Sequence, residues 1–244
     1  MSRHAPRRAF LPLALLIALT VGVVSAPPAR AFVLFDLIVN SLADNAANDG
    51  ACTLREAITA ANTDTKSGAA AGECSPLTGA NTILFTVSGT IQLGSALPAA
   101  TSKFTVNGGD AITIQGSGTD RIVGSNSNAD MTWAHIAMKN GGNTATPSDG
   151  GSILSYGKLT LDHVSITASQ GRLGGAVFVG SGAGMLTMVD STISLSSASQ
   201  SGGAVYADTG APASIVRSTL DANYSSLYGG AVFVMSSLTL ANST

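Results

Sequence analysis

Four polar residues recur once per repeat in the second half of the chain, each directly after a short apolar strand. They are His163, Asp190, Arg217 and Asn242. An imidazole, a carboxylate and a guanidinium on neighbouring turns of a repeat could supply the acid–base and charge-stabilising groups that cleavage of a polysaccharide requires. A carbohydrate-active site on the face formed by His163, Asp190 and Arg217 is therefore one hypothesis.

A polar ladder that faces a turn explains the same residues without catalysis. Stacked repeats would place Asp190 above Arg217, where the two form an exposed ion pair that contributes little to stability. Glycoside hydrolysis also needs two placed carboxylates, and the repeat pattern stacks no second acid with Asp190. We therefore predict a polar ladder with no catalytic residue, and we retain the enzyme as the alternative.

Metal and cofactor sites have little support in the sequence. Calcium needs several convergent oxygen ligands, and the Asp-rich nonapeptide repeats that supply them do not occur. His135 stands beside Trp133 in a candidate strand, and we interpret it as a packing or surface residue. The prediction is no metal site and no cofactor.

An internal repeat must position the polar residues. Gly-Gly-Ala-Val occurs at 174–177, 202–205 and 229–232, with a looser copy at 150–153. Alternating apolar segments stay in step with it, at 159–161, 186–188, 213–215 and 238–240. Each glycine pair is expected to mark a tight corner where a Cβ atom does not fit. The pairs are Gly174 and Gly175, Gly202 and Gly203, and Gly229 and Gly230.

Units this short become stable only when they stack, because each covers the apolar edge of its neighbour. The unit lacks a leucine-rich pattern and is shorter than a propeller blade, so the predicted fold class is all-β, a parallel β-helix with one coil per repeat. Two apolar columns then face inward, namely Leu159, Leu186, Ala213 and Leu238, and Leu161, Met188, Ile215 and Leu240. The hydroxyl column between them faces outward, and it suggests a third hypothesis, an ice- or crystal-binding surface: Thr160, Thr187, Ser214 and Thr239.

Other segments extend this pattern. Residues 80–143 are interpreted as earlier, less regular coils, because short alternating runs there are separated by Gly or Pro. Residues 140–151 form a polar, Gly-rich loop before the regular repeats. We expect Val177, Val205 and Val232 to point inward and the residues after them to stack outside, although the opposite assignment is open; these are Phe178, Tyr206 and Phe233.

Two features precede the first coil. Thr53 and Glu56 form a capping box, which predicts a short amphipathic helix. Such a helix would cover the open first edge of a β-helix, and this structural role is preferred to a catalytic one for its charged residues. Cys52 and Cys74 are predicted to form a disulfide in an oxidising compartment; a metal site is the alternative, but no His lies near either cysteine.

The first 31 residues have the pattern of a secretory signal peptide. Basic residues precede an uncharged apolar run over 9–24, which is short for a bilayer span, and a small-x-small cleavage site follows at 29–31. Charged residues make up 11% of the 244 residues and the net charge is −2, so electrostatic binding of nucleic acid is not expected.

Two motifs together resemble known bacterial families. Cys52-Thr53-Leu54-Arg55-Glu56-Ala57-Ile58, with Val39-Asn40-Ser41 before it and Ala61-Asn62 and Cys74 after it, resembles the CSLREA domain. The Gly-Gly-Ala-Val copies resemble the GGA[ILV] repeats of polymorphic outer membrane proteins, and Leu220-Asp221-Ala222-Asn223 loosely resembles their FxxN motif. The resemblance implies a right-handed β-helix that is secreted or displayed on the cell surface, adhesin-like, and without established catalytic residues.

These observations predict three parts. Residues 1–31 are the signal peptide, residues 32–79 form the cap with its helix and disulfide, and residues 80–244 form the coils. The last repeat stops before its next turn, so we expect a longer natural chain. The expected location is extracellular or associated with the bacterial outer membrane. Expected partners are glycans or proteins of a host or environmental surface, with no nucleic acid and no transmembrane segment in the mature part.

Overall fold

The computed structural model describes Met1 and residues 36–76, 81–142 and 147–244. The predicted signal peptide beyond Met1 therefore lies outside the described residues, as do residues 143–146 of the predicted loop. The chain divides into a unit of residues 1–33 and a unit of residues 34–244, and the second contains the fold. Its described elements are, in chain order, β1 (Asp36–Val39), α1 (Leu54–Thr63), β2 (Asn81–Phe85), β3 (Gly89–Gln92), β4 (Lys103–Asn107), β5 (Ile112–Gln115), β6 (Val123–Gly124), β7 (Asp130–Lys139), β8 (Ile153–Ser155), β9 (Lys158–Thr167), β10 (Gln170–Leu173), β11 (Val177–Val179), β12 (Met185–Val189), β13 (Thr192–Ser194), β14 (Ser197–Ser201), β15 (Val205–Ala207), β16 (Ala213–Val216), β17 (Thr219–Asp221), β18 (Tyr224–Ser225), β19 (Val232–Val234) and β20 (Leu238–Ala241).

The strands stack into three sheets in which each pairing is parallel. The largest sheet follows the order β1-β2-β4-β7-β9-β12-β16-β20, with β3, β5, β13 and β17 joined to it. The second has the order β6-β8-β11-β15-β19 and the third the order β10-β14-β18. Successive coils begin at β2, β4, β7, β9, β12 and β16, so the described chain forms a β-solenoid of about six turns. The predicted parallel β-helix class is confirmed.

The two apolar columns have the predicted register. Leu159 pairs with Leu186, which pairs with Ala213, and the Leu161 column follows two residues later. These side chains are buried up to the coil of β16, because each coil covers the one before it. On β20 the same columns are exposed, at Leu238 and Leu240. Thr160, Thr187 and Ser214 between them are only half-buried, as expected for an outward column.

The predicted early coils are present, and the main sheet starts before residue 80, where the sequence pattern predicts the first coil. Strands β2, β3, β4, β5 and β7 occupy the runs predicted within residues 80–143. β1 lies in the predicted cap segment, yet it pairs with β2 in the main sheet, with Asp36 opposite Thr82. The main sheet therefore reaches into residues 36–39.

Helix α1 lies against this first part of the sheet. Thr53 is its N-cap: the Thr53 hydroxyl accepts a hydrogen bond from the Glu56 N–H, and the Glu56 carboxylate accepts one from the Thr53 N–H. Leu54 and Ile58 are fully buried where α1 contacts β1, β2 and β4. Arg55 points elsewhere and pairs with Asp44 at 2.8 Å. Its guanidinium also donates to the carbonyl oxygens of residues 95 and 96, so it connects the helix to the segment that follows β3.

Left-handed backbone turns recur at three corners of each regular coil. One corner uses the first glycine of each pair, with φ between 64° and 69° at Gly150, Gly174, Gly202 and Gly229. A second uses Asn140, Ala168, Leu195 and Ala222, with φ between 50° and 55°. The third carries polar side chains. Because this conformation is costly for residues other than Gly, Asn or Asp, the stacked neighbours must maintain it at Ala168, Leu195 and Ala222.

Serine hydroxyls connect neighbouring coils beside the third corner, and two of these serines, Ser191 and Ser218, are buried. The Val164 N–H donates to the Ser191 hydroxyl at 2.9 Å, the Ser191 N–H to the Ser218 hydroxyl, and the Ser218 N–H to the Ser243 hydroxyl. Each of these hydroxyls donates in turn to the carbonyl two residues before it. The hydrogen bonds satisfy backbone N–H groups where strand pairing is interrupted. Serine hydroxyls therefore form hydrogen bonds between coils within the protein, in addition to the hydroxyl groups on its outer surface.

Ser191→Ala is expected to lower the free energy of unfolding by about 1–3 kcal/mol. The substitution leaves the buried N–H of Val164 without its acceptor, and alanine cannot replace that bond. Chemical denaturation measures the loss. Ser199→Ala is the matched control, because Ser199 is exposed, and it should leave stability within about 0.5 kcal/mol of the wild type. Equal stability of the two variants would show that the hydrogen bond between the Val164 N–H and the Ser191 hydroxyl does not stabilise the fold.

Candidate functional site

The third corner stacks six polar residues, which we call the corner column: Asp110, His135, His163, Asp190, Arg217 and Asn242. Each has a left-handed backbone, with φ between 48° and 59°. The pairing of the flanking strands sets the register, since Asp162 lies opposite Ala134 and Val164 opposite Ile136 on either side of His163. The turn directs these side chains away from the apolar interior, so they meet one another along the solenoid axis.

Asp190 and Arg217 form a bidentate ion pair in this column. The Arg217 Nε and Nη2 atoms donate to the two carboxylate oxygens of Asp190 at 2.8 and 2.7 Å. These hydrogen bonds lower the pKa of Asp190 below its ordinary value and raise that of Arg217. Asp190 is therefore ionised, with both oxygens engaged. The predicted stacking of this pair is confirmed.

The histidines occupy the preceding coils. His135 and His163 stack with their ring centroids 4.7 Å apart and their planes 16° apart. Each Nδ1 lies at hydrogen-bonding distance from a carboxylate, that of His163 at 2.7 Å from Asp162 and that of His135 at 3.1 Å from Asp110. The hydrogen bond to Asp162, assisted by the charges of Asp190 and Asp110, raises the pKa of His163. Its protonated form is thus favoured beside three acids.

The sequence prediction identified only part of this column. It grouped His163, Asp190, Arg217 and Asn242, which the register places on successive coils. It missed Asp110 in the column and Asp162 beside it, and it did not connect His135 with His163. The available signal was positional, because His135 follows Ala134 as His163 follows Asp162 after paired strands. As predicted, no acid of the preceding coil is in register with Asp190, since Asp162 lies opposite Val189. Asp162, His163 and Asp190 nevertheless each place a ligand atom within 4.8 Å of the others.

Two shallow cavities lie on the surface near the corners. One of about 150 Å³ is lined by His163, Ser165 and Asp110 together with residues of β5 and β7. A larger one of about 370 Å³ lies at the second corner, where Gln92, Gln115, Asn140 and Gln170 present amide groups. Charged side chains are absent from the described lining of the larger cavity, so it suits an uncharged polar ligand better than an ion.

The aromatic side chains after the inward valines also form a stack. Phe178 and Tyr206 lie 5.4 Å apart between ring centroids and are nearly parallel, and Phe233 continues the stack at the same spacing. Tyr156 meets Phe178 edge-on at 6.2 Å. Stacking leaves only 5% of Phe178 and 7% of Tyr206 exposed, so these ring faces are used within the protein.

The fold and the corner column define a parallel β-solenoid protein with a polar ladder along one corner. Comparisons with protein-family models, with curated proteins and with solved structures found no match to this chain. The relationship to CSLREA-domain and polymorphic outer membrane proteins therefore stays a prediction from the sequence motifs. Among the described residues, no helix combines the length and apolar character needed to cross a membrane.

Proposed function

We propose that this protein is an exported β-solenoid that acts in adhesion or as an extracellular scaffold, without catalysis. The ion pair between Asp190 and Arg217 is the observation that carries the proposal. A general base or nucleophile needs a lone pair that faces the substrate, and both oxygens of Asp190 are engaged by the guanidinium. The carboxylate of Asp190 thus has a structural partner.

Export is supported by the cysteines. Cys52 and Cys74 form a disulfide with their Cα atoms 4.8 Å apart, and disulfides of this kind persist in oxidising compartments. The signal-peptide pattern of the first 31 residues points in the same direction. A glycan or a protein on a host or environmental surface is the proposed partner, since amide and hydroxyl groups dominate the outward columns and the larger cavity.

A carbohydrate-active enzyme is the second candidate, and one observation favours it. Asp162 and Asp190 lie beside His163, so two carboxylates and an imidazole occupy one corner next to a cavity. Paired carboxylates at short range are the arrangement that retaining glycosidases use. For Asp190 to act, Arg217 would have to release it when substrate binds.

Turnover and binding assays with a panel of polysaccharides separate the two candidates. We expect the protein to bind polysaccharide without cleaving it, and we expect Asp190→Asn to leave that binding unchanged. Asp221→Asn is the matched control, because Asp221 is an exposed acid on β17, outside the column. Release of cleaved sugar that Asp190→Asn abolishes and Asp221→Asn preserves would establish the enzyme instead.

A further inference from the structure

The histidines of this protein are concentrated at one point of the fold. The chain contains three histidines, of which His4 lies in the predicted signal peptide. The other two, His135 and His163, are 28 residues apart in sequence but stack on successive coils. The exported part of the chain therefore has its whole imidazole content at the corner column, beside acids from three different positions along the chain.

The donor atoms at this point converge. Asp162, His163 and Asp190 each place one ligand atom within 4.8 Å of the other two. Imidazole nitrogen and carboxylate oxygen together suit Zn²⁺ and related divalent transition metals, which they bind at about 2.0–2.2 Å. Small side-chain rotations bring three atoms at this separation around one ion. We propose that Asp162, His163 and Asp190 bind a divalent transition-metal ion of the Zn²⁺ class.

The surroundings of these residues favour a cation. Asp110, Asp162 and Asp190 contribute three carboxylates, and Arg217 is the cation that pairs with one of them. Asp110 also lies 3.1 Å from the Nδ1 atom of His135, whose ring stacks on that of His163. His163 is half exposed, so an ion reaches the site without opening the solenoid.

Arg217 competes with the metal in this arrangement. Its guanidinium holds both oxygens of Asp190, and a metal ion must take at least one of them. Removal of the guanidinium by Arg217→Gln should therefore tighten metal binding. Arg172→Gln is the matched control, because Arg172 pairs with Asp149 at 2.7 Å in an exposed ion pair outside the corner column. It removes the same charge from the surface and should leave metal affinity unchanged.

Zn²⁺ titration of the untagged exported chain by calorimetry tests the site, with Co²⁺ absorption as a spectroscopic readout. We expect one ion per chain, no comparable binding of Mg²⁺, and an affinity at least about tenfold lower in His163→Asn. Asparagine suits the left-handed corner, where Asn242 already occupies the equivalent position, so this variant should keep its fold. Thermal unfolding of each variant verifies the fold.

Three results would overturn the proposal. They are no Zn²⁺ binding by the wild type, an unchanged affinity in a folded His163→Asn variant, or equal binding of Mg²⁺ that does not depend on His163. The third would identify a diffuse acidic surface instead of a transition-metal site. The proposal is independent of adhesion, since a metal ion at this corner is compatible with either proposed function.

Discussion

Gly203→Ala is expected to lower the free energy of unfolding by about 3 kcal/mol. Gly203 is the second glycine of its pair, and a Cβ atom there would overlap the carbonyl oxygens of Gly230 and Tyr224 on the next coil. Those obstructing atoms are backbone, so they move only if two coils separate. Separation breaks the parallel hydrogen bonds between β15 and β19 that stabilise the stack. Chemical denaturation of wild type and variant gives the difference directly.

Gly230→Ala provides the matched control within the same motif. Gly230 occupies the equivalent position one coil later, where the nearest obstructing atom, the Asn223 carbonyl oxygen, lies 4.0 Å from an added Cβ. Its φ is outside the left-handed range, so alanine is tolerated. We expect a change within about 0.5 kcal/mol. If Gly203→Ala were as stable as Gly230→Ala, close contact between coils would not be the reason for the repeated glycine pair.

Replacement of both cysteines by alanine is expected to cost about 3 kcal/mol of stability. The cross-link joins residues 22 positions apart, and opening it enlarges the conformational freedom of the unfolded chain. The loop it closes contains α1, and Cys52 directly precedes the N-cap Thr53. The loss should therefore be concentrated at the capped end of the solenoid. Guanidinium denaturation of the wild type and of the Cys52→Ala, Cys74→Ala variant measures it.

Reduction of the wild type is the control for this prediction. A thiol reagent under denaturing conditions should titrate two thiols after reduction and none before it. The reduced wild type should then unfold at the same denaturant concentration as the double variant. A denaturation midpoint that is insensitive to reductant, with both thiols shown to be free, would mean that the disulfide does not stabilise the cap.

Much of the fold could be predicted because its signals are local or periodic. The capping box needs only Thr53 and Glu56, which lie three residues apart and hydrogen-bond to each other. The columns of Leu159 and Leu161 repeat at nearly constant spacing, so one residue's inward direction determines that of its equivalents. The Gly-Gly pairs keep the repeats in step, and parallel pairing follows from stacking identical units.

The remaining features depend on contacts that no local pattern specifies. β1 pairs with β2 across an intervening helix, so its place in the sheet is a tertiary outcome. His135 lies before the first copy of the Gly-Gly-Ala-Val motif, so the sequence repeat does not mark its alignment with His163, 28 residues later. Arg217 and Leu195 adopt left-handed conformations that their residue types disfavour, because their stacked neighbours determine the turn. The corner column and its metal-binding potential therefore emerge only in three dimensions.

Distances between spin labels test most directly the stacking of one residue per coil into each column. One outward column contains Thr105, Thr132 and Thr239. Thr105 lies five coils from Thr239, and Thr132 lies four coils from it. With coils about 4.8 Å apart, labels at Thr132 and Thr239 should be roughly 19 Å apart, and labels at Thr105 and Thr239 roughly 24 Å. The in-register solenoid predicts this increment of one coil between the two pairs. Equal distances, or a broad distribution without the increment, would contradict the stacked coils and the corner column that depends on them.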